Sequence, residues 1–120
     1  MKIAFSTSGD NLDGVLDPRF GRAAKFLIYN LDEKTFEVID NEQNYNAAQG
    51  AGIQSAETIA RSGAEAVITG HCGPKAFRVL TSAKVKIYYS TLPTISEALD
   101  AYRAGNVPES ANADVEEHWV

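Results

Sequence analysis

Apolar positions along the chain follow two rhythms, and the change from one to the other divides it near its middle. Lys2-Ile-Ala-Phe-Ser6 is a short, mostly apolar run that reads as a strand and stops at the turn-forming Thr7-Ser8-Gly9-Asp10-Asn11. A long loop punctuated by Gly14, Pro18 and Gly21 follows. Phe26–Tyr29 and Thr35–Ile39 are strand-like, and the polar Leu31-Asp32-Glu33-Lys34 between them predicts a hairpin. Residues 41–52 are polar and small, which predicts another loop. From Ile53 the spacing becomes helical, through Ala56, Ile59 and Ala60, with Gly63 as the stop. Ala66–Thr69 is a short apolar strand of the kind buried on both faces. Gly73-Pro74 opens a helix at the position where proline's missing N–H costs little, and Ala76, Phe77 and Leu80 form its apolar stripe. Lys84–Tyr89 is the last strand. Thr94-Ile95-Ser96-Glu97 is a capping box that starts a final helix with Ile95, Ala98, Leu99 and Tyr102 facing inward, ended by Gly105.

The predicted order is therefore β-β-β-α-β-α-β-α. A hairpin joins antiparallel strands and a helical crossover joins parallel ones, so the expected fold is α/β, a five-stranded mixed sheet flanked by helices. The 120 residues suffice for one domain with a core of its own. That domain is expected over residues 1–105. Residues 106–120 lack any base or periodicity and are expected to form an acidic, flexible tail, with His118-Trp119 as a candidate docking handle on a solvated end.

Composition is that of an ordinary globular chain: 44% hydrophobic and 22% charged residues exclude a disordered or low-complexity protein. The net charge of −5 argues against a general nucleic-acid coat, which needs a cationic face. Divided along the chain, the charge looks different. Residues 1–105 hold 12 acids and 11 bases, whereas the tail holds Glu109, Asp114, Glu116 and Glu117 without a base. The lone Cys72 rules out an intrachain disulfide. No signal-peptide, transit or membrane-spanning pattern occurs, and the expected compartment is the cytoplasm.

In an open α/β sheet, ligands bind beyond the carboxyl ends of the strands, where the chain's direction across the sheet reverses. With the first strand central, that point lies between strands 1 and 4. The loops leaving them are Ser6-Thr7-Ser8-Gly9 and Gly70-His71-Cys72-Gly73, both rich in small residues that let backbone N–H groups approach a ligand. The first loop continues through Asp17-Pro18-Arg19-Phe20-Gly21-Arg22-Ala23-Ala24-Lys25, which places Arg19, Arg22 and Lys25 within seven residues and no acid among them. Such a patch suits a multi-oxygen or multi-sulfur anion, with Phe20 positioned to cover it, although a solvated loop with one Asp17–Arg pair reads equally well. Cys72 reads either as a small core hydrophobe or, beside His71 at a strand-to-helix turn, as a stabilised thiolate. The thiolate has two uses: a soft-metal ligand with His71 as a second donor, or a nucleophile. The nucleophile reading rests on His71-Cys72-x5-Arg78, the loop pattern of cysteine phosphatases. Against it, Pro74 removes an N–H from the cradle and no Ser or Thr follows Arg78. A metal-dependent nuclease is disfavoured because strands 1 and 4 carry no carboxylate.

Taken together, residues 1–105 resemble the dinitrogenase iron–molybdenum cofactor biosynthesis family, which includes NifX, the C-terminal domain of NifB and the orange proteins. The carriers are Met1-Lys2-Ile3-Ala4-Phe5-Ser6, Phe20-Gly21-Arg22-Ala23, Phe26–Asn30, Gly63-Ala64, Val67-Ile68-Thr69-Gly70, Gly73-Pro74-Lys75-Ala76, and Thr94–Tyr102 with Gly105. The resemblance implies a ribonuclease H-like fold without nuclease or other enzymatic activity. It also implies binding, carrying or storage of an anionic metal–sulfur cluster held mainly without covalent bonds, and protein partners that donate or receive it. The orange-protein branch implies a molybdenum–copper sulfide cluster; the alternative is the iron–molybdenum cofactor or its precursor. The residues expected to meet the cluster are Ser6, Thr7, Arg19, Gly21, Arg22, Ala23, Lys25, His71, Cys72 and Gly73, with Cys72 and His71 as candidate metal ligands. A phosphatase-like hydrolase built on Cys72 is the alternative function.

Overall fold

The computed structural model describes residues 1–41 and 51–110. Its strands are β1 (Lys2–Thr7), β2 (Lys25–Asn30), β3 (Thr35–Asp40), β4 (Ala66–Thr69) and β5 (Lys86–Tyr89), and its helices are α1 (Ala51–Ser62), α2 (Pro74–Ser82) and α3 (Ile95–Arg103). The sheet runs β3-β2-β1-β4-β5, antiparallel from β3 to β1 and parallel from β1 to β5. This is the mixed sheet that the hairpin and the crossover helices predict, with β1 at its centre.

Side chains alternate across a strand, so a strand buried on both faces must be apolar throughout. On β1, Ala4 faces the layer of α1 and α2, while Ile3 and Phe5 face that of α3. β2 divides the same way, Phe26 and Ile28 against Leu27 and Tyr29. Ala56 and Ile59 of α1 and Ala76 and Leu80 of α2 close the first layer, and Ile95, Ala98 and Leu99 of α3 close the second. The capping box is present: the Glu97 N–H donates to the Thr94 hydroxyl at 3.2 Å. Tyr102 meets Tyr88 edge to face at 5.1 Å, and burial raises its phenol above the ordinary range.

The long loop after β1 is fixed along its length. Its first part is tied to the start of α3, where the N–H groups of Ile95 and Ser96 donate to Gly14 O (3.0 Å) and Leu12 O (2.8 Å). Its second part crosses the carboxyl ends of β1 and β4: the Asp17 N–H donates to Ser6 O (2.8 Å) and the Phe20 N–H to His71 O (3.2 Å). Glycine permits this crossing, since a Cβ on Gly70 would lie 2.6 Å from Pro18 Cα. The third part rests on α1, where a Cβ on Gly21 would lie 2.8 Å from Gly52 Cα.

Several boundaries differ from expectation; the last strand, expected over Lys84–Tyr89, begins at Lys86, because Lys84 takes a φ of 64° in the turn that follows α2. Of the loop predicted over residues 41–52, Asn41 is buried and Ala51 and Gly52 already belong to α1; residues 42–50 lie outside the described residues. Of the predicted tail, residues 111–120 also lie outside them. Its first part lies on the outer edge of β5, where the Ser110 N–H donates to Ile87 O at 2.8 Å and Glu109 bridges Tyr88.

Because the atoms facing Gly70 are backbone and ring atoms of Pro18, the site has little freedom to relax. Gly70→Ala is expected to destabilise the fold by about 1–3 kcal/mol, the range for overpacking. A lower urea midpoint with an unchanged denaturant slope is the expected readout.

Candidate functional site

The loop crossing fills the point where the sequence places a cleft. Pro18 covers Gly70, and Phe20, expected to shield a ligand, is fully buried against Phe26 with ring centroids 5.2 Å apart. The open space lies beside the loop instead. A cavity of about 800 Å³ is lined by Ser8, Asp10, Asp17, Arg19, Ala24, Lys25, Val38 and Asp40. The floor comes from β2 and β3, whose register sets Lys25 opposite Asp40.

Of the ten residues expected at the site, Arg19 and Lys25 line this cavity. Each has a carboxylate beside it: Lys25 Nζ pairs with Asp10 Oδ1, and Arg19 Nε lies 3.8 Å from Asp17 Oδ1. The Arg19 N–H also donates to Asp17 Oδ1 at 2.9 Å, which fixes the loop's turn. The cationic patch is thus interleaved with acids that lie outside the Arg19–Lys25 run in sequence.

Ser6, Thr7, Gly21 and Ala23 are buried and support the loop from below. Ser6 and Thr69 hydroxyls are hydrogen-bonded at 2.7 Å, and Ser6 Oγ lies 2.7 Å from the Asp17 carbonyl. A hydroxyl carries one proton and a carbonyl only accepts, so Ser6 donates to Asp17 and Thr69 to Ser6. Thr7 Oγ1 donates to Val15 O at 2.6 Å and accepts from the Gly9 N–H at 2.9 Å. Asn41 Nδ2 donates to Ala23 O at 2.8 Å, and Ser55 Oγ donates to Asn41 Oδ1 at 3.2 Å. Sequence reasoning missed Asn41 and Ser55, the buried polar pair that locks this part of the loop; only their positions next to an apolar strand and on an apolar helix face hint at it. Arg22 is half-buried and lies outside the cavity lining.

His71, Cys72 and Gly73 lie on the other side of the crossing and do not line the cavity. His71 is half-buried, and its backbone accepts from Phe20. Cys72 is fully buried in the α1/α2 layer of the core, its Sγ 3.7 Å from Gly73 O. Gly73 is the N-cap of α2, with Pro74 starting the helix. Arg78 is exposed and lies in a separate groove with Ile53 and Lys75. A buried thiol, a proline in the loop and an arginine in another groove do not assemble a phosphatase cradle. Among the described residues, no three His, Cys, Asp or Glu side chains are grouped to hold a metal ion. No helix among them is long and apolar enough to cross a membrane.

The model of the Dinitrogenase iron-molybdenum cofactor family matches residues 1–105. The chain belongs to that family. Within it, the chain is similar to the apo form of the orange protein from Desulfovibrio gigas, at 37% identity and a TM-score of 0.92, covering 95% of this chain and 96% of that one. It is also similar to a NifB-like protein from Thermotoga, at 30% identity and a TM-score of 0.84 over 96% of this chain and 97% of that one. A curated relative, an uncharacterized protein of Methanocaldococcus jannaschii, is 32% identical over 89% of each chain.

Cys72 tests the geometry of this family member directly. With no exposed surface, its thiol is expected to react with a water-soluble disulfide reagent only on the timescale of opening of the fold, and at once in denaturant. Fast stoichiometric labelling of the native chain would place the thiol at the surface.

Proposed function

We propose that this protein binds and carries a preformed, anionic metal–sulfur cluster, without catalysing a reaction, in the cavity lined by Arg19 and Lys25. The observation that carries the reading is this cation-bearing cavity in a chain that matches the orange protein, solved in an apo form, over nearly its whole length. The donor set supports capture by charge and hydrogen bonds over a ligand cage, because the described residues group no three metal-binding side chains. The cluster is molybdenum–copper sulfide on this reading, with the iron–molybdenum cofactor or its precursor as the second cargo, and other proteins supply and receive it. The strand order and the antiparallel β2 support describing the architecture as ribonuclease H-like.

The acids of the cavity decide how such capture works. Asp10, Asp17 and Asp40 face Arg19 and Lys25, so the wall as it stands carries a formal charge of −1 and does not attract a small anion. The Asp10–Lys25 and Asp17–Arg19 pairs are partly exposed, and exposed pairs contribute only about 0.2–1 kcal/mol each. A multiply charged cluster that draws both cations to itself outweighs that cost, and the guanidinium's planar fork suits several sulfur acceptors at once. His71 and Cys72 contribute by holding the loop and filling the core beneath it.

Apo protein mixed with tetrathiomolybdate and copper, then desalted, is expected to keep a visible absorption band and stoichiometric metal. Arg19→Glu with Lys25→Glu is expected to lose both, while Cys72→Ala keeps them. Retention by the charge-reversed protein would remove the cavity from the reading, and loss in a folded Cys72→Ala protein would restore the thiol as a ligand.

A further inference from the structure

The outer edge of the sheet at β3 has the regularity that another strand needs. Its register with β2 is unbroken from Thr35 to Asp40, so no bulge turns it away. Nor does β3 hold a proline or a lysine, the residues that commonly block an edge. Just past its end, the Asn41 N–H donates inward, to Ala24 O at 2.8 Å. Backbone groups alternate in direction along an antiparallel strand, so those of Glu37 and Ile39 also point to β2, while those of Phe36, Val38 and Asp40 point outward. Among the described residues, no strand pairs with that side. Phe36, a large apolar side chain, is 42% exposed on this strand.

The chemistry of β3 selects how a second copy of it could pair. Residues directly opposite in an antiparallel pair share a face of the sheet, so two copies related by a two-fold axis must set one residue opposite itself. An axis at Glu37 sets two carboxylates face to face, which is destabilising. An axis at Ile39 or Asp40 leaves Phe36 beyond the end of the opposing strand, and one at Thr35 or Phe36 overlaps only the strand's first residues. An axis at Val38 sets Glu37 opposite Ile39 and Phe36 opposite Asp40, so most of the strand is paired and no acid stands against another.

We propose that β3 pairs with β3 of a second copy about a two-fold axis at Val38, and that the partner's Phe36 thereby becomes part of the cavity's wall. The two five-stranded sheets join into one. Phe36, Val38 and Asp40 alternate onto one face, and Val38 and Asp40 already line the cavity. The partner's Phe36 stands opposite Asp40 on that face and adds an aromatic ring to the cavity's β3 side. Both cavities open on the same face of the joined sheet, on either side of the axis. The pairing needs no cargo, so association is measured on metal-free protein and its outcome is separate from that of metal retention.

Sedimentation velocity over a wide range of protein concentration is expected to show a monomer giving way to a dimer. Phe36→Glu sets an acid opposite Asp40 and is expected to leave a monomer throughout, with the circular dichroism of the fold unchanged. In a Cys72→Ala background, Val38→Cys places a thiol opposite its own copy at a Cα separation of about 5.5 Å, within disulfide reach. Mild oxidation is expected to link that variant into a dimer and to leave Glu37→Cys largely unlinked. Should Phe36→Glu fail to fold, the two cysteine variants carry the test alone. A wild-type chain that stays monomeric over the whole range would overturn the proposal, as would a dimer that Phe36→Glu leaves intact. Preferential linkage of Glu37→Cys would also overturn it, by moving the axis off Val38.

Discussion

The Ser6 hydroxyl is the hinge on which this structure turns. It donates to the Asp17 carbonyl and receives from Thr69, so one buried side chain on the central strand links the crossing loop to the neighbouring strand. Both bonds are made with no exposed surface at Ser6 or Thr69, where an unmade hydrogen bond costs about 1–3 kcal/mol. The loop therefore has one satisfactory path over the strand ends, and Phe20 is carried into the core as a consequence. From there, Gly21 meets α1 and Asn41 closes around Ala23. The position of the cavity beside the loop, instead of beneath it, follows from this path.

That displacement changes the electrostatic problem of the site. A crevice at the strand ends would offer a ligand the N–H groups of two loops, whereas here the Arg19 and Phe20 N–H groups are already bonded to Asp17 and His71. What the cavity offers is side-chain charge, Arg19 and Lys25 set among Asp10, Asp17 and Asp40. Arg19 and Lys25 are held near carboxylates in weak pairs, and on the proposed reading it is these pairs that a more highly charged cargo displaces.

The parts of the fold that were legible in the sequence are those set by local chemistry. Ala66–Thr69 has the boundaries that its apolar run gives it, and Thr94 and Glu97 mark the start of α3 as a capping box should. Pro74 likewise marks α2. What escaped the sequence depends on contacts between distant residues. Phe20 sits among polar and small residues in a loop, and nothing nearby in sequence announces that it packs on Phe26. Asp10 and Asp40 read as turn and strand-end residues until the sheet register brings them to Lys25. Cys72 at a strand-to-helix turn fits two opposite readings, and only its burial in the α1/α2 layer separates them.

The two edges of the sheet are treated unequally. Glu109 and Ser110 cover the outer edge of β5, while among the described residues no strand pairs with the outer edge of β3, which exposes Phe36 and Glu37. An open edge is a template for another strand, and a molecule with two of them can add copies without end. With Glu109 and Ser110 lying along β5, the edge of β3 is the one that the described residues leave for another strand to extend.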